Sequence, residues 1–205
     1  MSIRRPLRAA ALTAVSAACV FAAAVATAAT PDWNKTIPIV DTPGPGGLLG
    51  TNGFDIFAEQ AVAARFTVPA DGDMRLARVG LWLMNNSETL QKKVRLSVQT
   101  DALDEGGNQT LPSGVELERW TTTVQTLGWN PVEQFFLTRS GPRLLAGRSY
   151  WVVAASKSPP FVDPVWTFAK TGNMWTTTTY GGAWQPAGNG AALTLRVDAH
   201  PIKAP

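Results

Sequence analysis

The carboxylates and the histidine are the residues of this chain that could carry acid–base chemistry. The sequence has one histidine, His200, and the strand pattern places it beyond the last predicted strand. A catalytic triad or a zinc site would need that imidazole buried beside its partners. Glu116 and Glu118 share one face of a predicted strand, Glu133 could lie on a neighbouring strand, and a glycosidase uses two carboxyl groups roughly 5 to 10 Å apart. A solvated strand face accounts for the same spacing, so we predict no catalytic residues and no enzyme.

A second group of acidic residues lies in a predicted polar loop over residues 101–114. Asp101, Asp104 and Glu105 could supply oxygen ligands to a calcium ion. Their spacing does not match a known calcium loop, and Asp, Asn and Gly form turns without an ion. We expect no cofactor, with a structural calcium as the alternative that stays open.

The tryptophans are the most suggestive feature, because there are eight of them against two tyrosines. Some of the eight fall in strand patterns and are predicted to be core. Exposed rings in loops can stack on sugar faces, with amide groups nearby for the hydroxyls. The candidate ligand-binding residues on this interpretation are Trp129, Trp175, Tyr180, Trp184 and Gln185. The alternative is that these rings cap the open ends of the fold.

The elements that must position these residues are strands, because apolar residues recur at every second position. Val79, Leu81 and Leu83 show the alternation that a half-buried strand requires. Tyr150 to Ala155 is apolar on both faces, which predicts a strand inside a layer. About nine short strands predict an all-β, jelly-roll-like antiparallel sandwich over residues 54–200. A Gly/Pro-rich segment over 30–53, with an edge strand over Thr36–Val40, precedes the sandwich, and a tail over 201–205 follows it.

The first 29 residues predict a secretory signal peptide. Three arginines precede an Ala-rich run, and small residues follow it at the expected cleavage point. An uncleaved anchor and a lipoprotein modified at Cys19 are the alternatives. The remaining chain has 15 basic and 15 acidic residues and no cysteine, because three of the 18 Lys and Arg and the one Cys lie in the signal. We therefore expect no nucleic-acid partner, no disulfide and no stable membrane insertion after cleavage.

Five segments carry a family resemblance in chain order. They are AEQAVAARFTVP (58–69), RLARVGLWLMNN (75–86), VRLSVQTDALDEGG (94–107), RLLAGRSYWVVAA (143–155) and AWQPAGNGAALTLRVDA (183–199). The chain resembles the choice-of-anchor R domain family of exported bacterial β-sandwich domains. The resemblance implies a jelly-roll-like sandwich at or outside the cell surface and implies no catalytic residues. The expected C-terminal anchoring signal is not recognisable in residues 200–205, which favours a freely secreted or periplasmic protein.

The functional prediction is an exported, non-catalytic module that binds glycan or another surface polymer. Two other classes stay open, a structural or self-associating envelope protein and a hydrolase that uses carboxylates. Glycan binding would separate the first class from the second, and turnover of polysaccharides would identify the third.

Overall fold

The structure of the protein is a computed structural model. It describes residues 35–46, 52–103, 106–107, 109–172, 174–180, 182–187 and 192–202. The chain divides into two units, Met1–Thr30 and Pro31–Pro205, and all of the described residues belong to the second. The predicted signal peptide over 1–29 therefore lies outside the described residues. In the ranges that are described, no helix is long and apolar enough to cross a membrane.

Thirteen strands and their connections make up the described chain, which has no helix. The strands are β1 (Ile37–Asp41), β2 (Gly53–Asp55), β3 (Val62–Thr67), β4 (Met74–Asn85), β5 (Lys93–Leu103), β6 (Thr110–Thr123), β7 (Val132–Leu137), β8 (Arg143–Leu144), β9 (Ser149–Ala155), β10 (Pro164–Thr167), β11 (Thr176–Tyr180), β12 (Ala183–Pro186) and β13 (Leu195–Pro201). The predicted all-β class is therefore confirmed.

The strands form two antiparallel sheets. A seven-stranded sheet has the order β1–β13–β4–β10–β2, with β7 and β8 also paired to β4. A six-stranded sheet has the order β12–β11–β3–β9–β5–β6. Within them, β1–β13–β4–β7 and β3–β9–β5–β6 are the two four-stranded halves of a jelly roll, so the predicted sandwich is confirmed.

The core lies between the two sheets and joins their inward faces. Val79, Leu81 and Leu83 of β4 are fully buried there, as their alternation predicts. Trp166 of β10 is also fully buried, and its Nε1 donates to the carbonyl oxygen of Thr194 at 2.8 Å. Each fully buried large apolar side chain contributes about 1.5–3 kcal/mol, so this shared core holds the two sheets together.

Both faces of β9 are apolar and buried, as its sequence predicts. The strand lies between β3 and β5 in the six-stranded sheet. Tyr150 and Val152 belong to the main core. Trp151 and Val153 form a smaller cluster with Ala63 on the other face of the sheet, and the partly buried Trp184 packs against it. The six-stranded sheet is therefore apolar on both sides around its middle strands.

The structure corrects the strand list at several points. β2, β8 and β12 were not predicted, because two to four residues carry too little periodicity to identify a strand. The predicted loop over 101–114 is wrong, since β5 continues to Leu103 and β6 begins at Thr110. The predicted edge strand near the N-terminus is confirmed as β1, which pairs with β13 at the end of the seven-stranded sheet.

Candidate functional site

The candidate site is a cleft of 520 Å³ where the ends of β2, β4 and β10 meet two loops. We call it the aromatic cleft. Trp129, Phe161 and Phe168 supply its rings, and Asn52, Asp55 and Asn86 supply its polar groups. Aromatic side chains with a few convergent polar groups are the usual lining of a small-ligand site.

Asn86 connects the polar groups of the aromatic cleft. Its Nδ2 donates to Oδ1 of Asp55 at 3.0 Å and to Oδ1 of Asp163 at 3.3 Å. Its Oδ1 accepts from Nε1 of Trp129 at 2.8 Å. One amide thus links the indole to two carboxylates, which holds the ring in a defined orientation in the cleft.

The loop that carries Trp129 is fixed to the end of β4. The buried Asn85 donates a side-chain hydrogen bond to the carbonyl oxygen of Thr126, and its backbone N–H donates to the carbonyl oxygen of Gly128. Gly128 has φ of 60°, a conformation that glycine adopts without strain, and its N–H donates to the carbonyl oxygen of Ser87. Trp129 therefore extends from a hydrogen-bonded turn, and 58% of the residue is exposed to solvent.

Phe161 is the second exposed ring of the cleft and the more unusual one. It is 82% exposed, and its φ of 67° is the one positive φ at a non-glycine residue in the described ranges. A bulky residue in the left-handed region is strained, and such strain is typical of functional loops. Neither burial nor turn geometry favours phenylalanine here, so a role at the surface is the simplest reason for its presence.

Asp163 lies beneath the cleft and is fully buried. Its Oδ2 accepts from the backbone N–H of Ile56 at 3.1 Å. Burial raises the pKa of Asp163, and the nearby charge of Asp55 raises it further, while the hydrogen bond from Asn86 acts in the opposite direction. The buried carboxyl therefore acts as a support for the polar groups above it.

The structure does not bring the predicted aromatic residues into one cleft. Trp129 lines the aromatic cleft, and among the described side chains Trp175, Trp184 and Gln185 do not. Trp175 precedes β11 and is 46% exposed, and its carbonyl oxygen accepts from the N–H of Arg65. Trp184 of β12 packs against the small cluster around Trp151.

The remaining two candidates belong to the β11–β12 hairpin. Gln185 is exposed and pairs with Thr178, one position along from the pair of Trp184 and Thr179, so Gln185 and Trp184 face opposite sides. Tyr180 pairs with Ala183 at the end of the hairpin, and its side chain lies outside the described part. The hairpin therefore offers an exposed amide on the side opposite to its tryptophan.

The candidate calcium ligands are only partly described. Asp101 accepts from Nε1 of Trp151 at 2.6 Å through Oδ1 and pairs with Arg65 at 3.0 Å through Oδ2. Asp104 and Glu105 lie outside the described residues. Within the described ranges, no three His, Cys, Asp or Glu residues are grouped as a metal site requires. Asp101 thus has a structural role that its sequence position did not reveal.

The two glutamates predicted to share a face of β6 face opposite sides. The register between β5 and β6 shifts, so that Val98 pairs with Glu118 and the next residue, Gln99, pairs with Glu116. Consecutive residues of β5 point to opposite sides, and their partners do the same. Glu116 accepts from Arg95 at 2.7 Å on one side. A bulge that the sequence did not reveal therefore separates the two carboxylates.

The predicted tail position of His200 is also wrong. β13 continues to Pro201, and His200 pairs with Arg75 near the start of β4. Its Nδ1 is buried and has no hydrogen-bond partner among the described residues. The pairing extends this far because β4 begins at Met74, earlier than the alternation in the sequence indicated.

Sequence reasoning missed Asp55, Asn86, Phe161 and Asp163. Asp55 and Asp163 are 108 positions apart, yet both bind Asn86. The signal available in the sequence was Phe161, which lies between Pro160 and Val162 and outside the predicted strands. A large apolar residue in a loop has no strand to bury it, so it indicates a role at the surface.

No protein-family model matches the chain, and no curated protein matches it. The class of protein therefore follows from the fold and the cleft, and it is an all-β, two-sheet sandwich with an aromatic cleft at one end.

Proposed function

We propose that this protein is an exported, non-catalytic β-sandwich module that binds glycan through the aromatic cleft. The observation that carries the proposal is the pair of exposed rings, Trp129 and Phe161, in one cleft with polar side chains. Both rings are exposed to solvent, although large apolar side chains are usually buried in a folded protein. Phe161 also has a strained backbone conformation, with a positive φ.

Sugars are the ligand class that this combination fits best. The carbon-bound hydrogens of a pyranose face pack on a flat aromatic ring, while its hydroxyls need acceptors and donors at the edge of the ring. Asp55 and Asn86 provide such groups beside the indole, and Asn52 lies in the same cleft. The cleft is open to solvent along its rings, which suits a polymer chain better than an enclosed metabolite.

Three observations support a non-catalytic role. Asp163 is fully buried beneath the aromatic cleft, where it cannot reach a substrate. Glu116 is paired with Arg95, and Glu118 is bound to the loop after β7 on the other side of its strand. A glycosidase needs two carboxyl groups that face each other across the sugar, and these glutamates do not.

Export and cell-surface location remain part of the proposal, together with the resemblance to the choice-of-anchor R domain. The two-sheet jelly roll is compatible with that resemblance. Fractionation of cells that express the full chain, with the mass of the exported product, tests the prediction. A product shortened by about 29 residues is expected if the signal peptide is cleaved, and a full-length product in the cytoplasm would contradict export.

The binding test uses Trp129→Ala and Phe161→Ala, with Trp175→Ala as the matched control. Neutral polysaccharides such as glucan, xylan and mannan are screened by affinity electrophoresis, and the best ligand is then titrated by calorimetry. Each cleft variant should weaken binding at least about tenfold, which is about 1.4 kcal/mol, and the control should bind like the wild type. If Trp175→Ala abolishes binding and the two cleft variants do not, the site is on the β11 side instead.

A self-associating envelope protein is the second candidate, because Leu137 of β7 is 70% exposed and Phe135 on the same face is half exposed. Exposed apolar side chains on one face of a sheet are typical of an interface between subunits. Sedimentation analysis tests this candidate. Dimers or larger species that Leu137→Ser converts to monomers would favour it, and a monomer at all concentrations would exclude it.

A further inference from the structure

A second cleft, of 610 Å³, lies at the start of β4 and carries basic side chains. We call it the basic cleft. Arg75, Arg78, Arg139 and His200 line it, together with Thr36 and Ser140. Arg75 and Asn86 are at opposite ends of β4, roughly 35 Å apart for an extended strand, so the basic cleft is separate from the aromatic cleft.

We infer that the basic cleft binds an oxyanion, such as the carboxylate of a uronic acid or a sulfate or phosphate ester. The inference goes beyond the proposed function, because it concerns another site and another ligand chemistry. Guanidinium groups bind planar and tetrahedral oxyanions through paired N–H donors, and Arg75 and Arg139 bring two of them to one cleft.

These two arginines are free to bind a ligand. Both are exposed, and no carboxylate among the described residues pairs with either of them. The aliphatic part of Arg75 lies against Gly141, where an added Cβ would come within 3.2 Å of it. This contact supports the stem of Arg75 and leaves its charged end in the cleft.

The other arginine of the cleft, Arg78, is neutralised. It pairs with the buried Asp198 at 2.5 Å, and its guanidinium lies 4.5 Å from the ring centre of Phe135. Asp198 also accepts from Arg196 at 3.1 Å. The carboxylate is thus occupied by two arginines, and it does not compete for Arg75 or Arg139.

Glu118 is the other carboxylate near the cleft, and it lies behind the loop that forms one wall. Its Oε2 accepts from Thr138, Arg139 and Ser140. These bonds draw the loop backbone toward Glu118, so the acid is enclosed and nine-tenths buried. Glu118 therefore holds the backbone of the loop that carries Arg139, while the side chains of Arg75 and Arg139 give the cleft its positive charge.

His200 adds an imidazole to the arginines of the basic cleft. It lines the cleft, and its Nδ1 is buried without a hydrogen-bond partner among the described residues. An imidazole N–H is a hydrogen-bond donor, and an oxyanion in the cleft offers the ring an acceptor.

The size of the site favours a single charged group over a nucleic acid. Of the described arginines that line the basic cleft, two are without an ion pair, whereas a nucleic-acid surface commonly makes 6–10 phosphate contacts. Residues 30–205 are also formally neutral, with 15 basic and 15 acidic side chains. The basic cleft is therefore a local site for one oxyanion or one acidic sugar unit.

The test is an NMR titration of the full chain at low ionic strength with sodium sulfate and, separately, with glucuronate and oligoglucuronate. Saturable shifts centred on residues near His200 are expected. The double variant Arg75→Gln/Arg139→Gln should weaken binding at least about tenfold, and raising the salt concentration should weaken it in the wild type. Arg148→Gln removes an exposed arginine outside the cleft lining and should change binding less than about twofold.

Two outcomes support the inference and identify the source of the oxyanion. Equal binding of sulfate and glucuronate indicates a site for free anions, and tighter binding of oligoglucuronate indicates an acidic glycan. The absence of saturable shifts, or equal binding by the double variant, overturns the inference. Trp129→Ala should leave this binding unchanged, so a failure of the aromatic cleft would not be mistaken for a failure of the basic cleft.

Discussion

Replacing Glu118 with glutamine should destabilise the protein in a way that depends on pH. Oε2 of Glu118 accepts from the hydroxyls of Thr138 at 2.6 Å and Ser140 at 2.8 Å. It also accepts from the backbone N–H groups of Arg139 at 3.1 Å and Ser140 at 3.0 Å. One ionised oxygen therefore holds the loop that follows β7.

The magnitude follows from the pKa of the carboxyl group. Burial alone would raise the pKa of Glu118, but the hydrogen bonds from Thr138, Ser140 and Arg139 outweigh it and lower the pKa from 4.5 to about 2. A shift of this size corresponds to about 3 kcal/mol of stability as an upper limit, at 1.36 kcal/mol per pKa unit. Glutamine keeps one acceptor oxygen, so we expect a loss of about 2 kcal/mol near neutral pH.

The sign of the pH dependence is fixed by the direction of this shift. A carboxyl whose pKa is lower in the folded state stabilises the protein above its unfolded pKa of 4.5, and this contribution is lost as the pH falls toward about 2. Glutamine does not titrate. The difference in unfolding free energy between wild type and Glu118→Gln should therefore be largest near pH 7 and shrink steadily below pH 4.5.

Urea denaturation of the full chain at several pH values measures this difference. Glu59→Gln is the control, because Glu59 is an exposed glutamate in the turn before β3 and should change stability by less than about 0.5 kcal/mol. A difference for Glu118→Gln that is constant between about pH 7 and pH 3, or that grows in acid, would refute the reasoning.

Three further predictions concern single residues. Phe161→Gly relieves a positive φ without loss of burial, so the free energy of unfolding in urea should stay unchanged or rise by about 1 kcal/mol. The same substitution should weaken glycan binding. A clear loss of stability would contradict the strain argument. The pKa of the Asp163 carboxyl, followed by carbon NMR, should lie above 3.8 because the carboxyl is buried. The contribution of Asp163 to the free energy of unfolding should therefore be present at low pH and be lost as the pH rises through that pKa. A pKa below 3.8 would contradict this argument. Trp151→Phe removes the hydrogen bond to Asp101 and leaves a gap beside Val153. It should therefore lower the free energy of unfolding by about 2–3 kcal/mol in the same denaturation assay. A loss under about 0.5 kcal/mol would show that the second apolar cluster contributes little to stability.

The strands were predictable where alternation runs for six residues or more. β4, β5 and β9 each place the expected side chains in the core, because successive residues of a strand face opposite sides whatever the partner strand is. β2 and β8 were not predictable, since a strand of two or three residues forms only because a longer strand is already beside it.

The candidate site was predictable only in part. Trp129 was a candidate because a large aromatic residue in a Gly-containing loop has no strand to bury it. Its partner Asn86 belongs to another connection, and the hydrogen bond between them depends on where β4 ends relative to β7. Trp175 and Trp184, two of the other candidates, do not line the aromatic cleft, because Trp184 lies in β12 and Trp175 directly precedes β11, both in the six-stranded sheet.

The amino-acid sequence by itself determined the all-β class, the buried middle strand and the faces of the long strands. These properties are local, because they depend on the residue types within about six positions of each other. Only the tertiary structure decided that Asp55, Asn86 and Asp163 meet, that Glu116 and Glu118 face apart, and that His200 lies among arginines. Pairing order and bulges bring distant segments to the same end of a sandwich, and a pattern of alternating residues does not specify which segments those are.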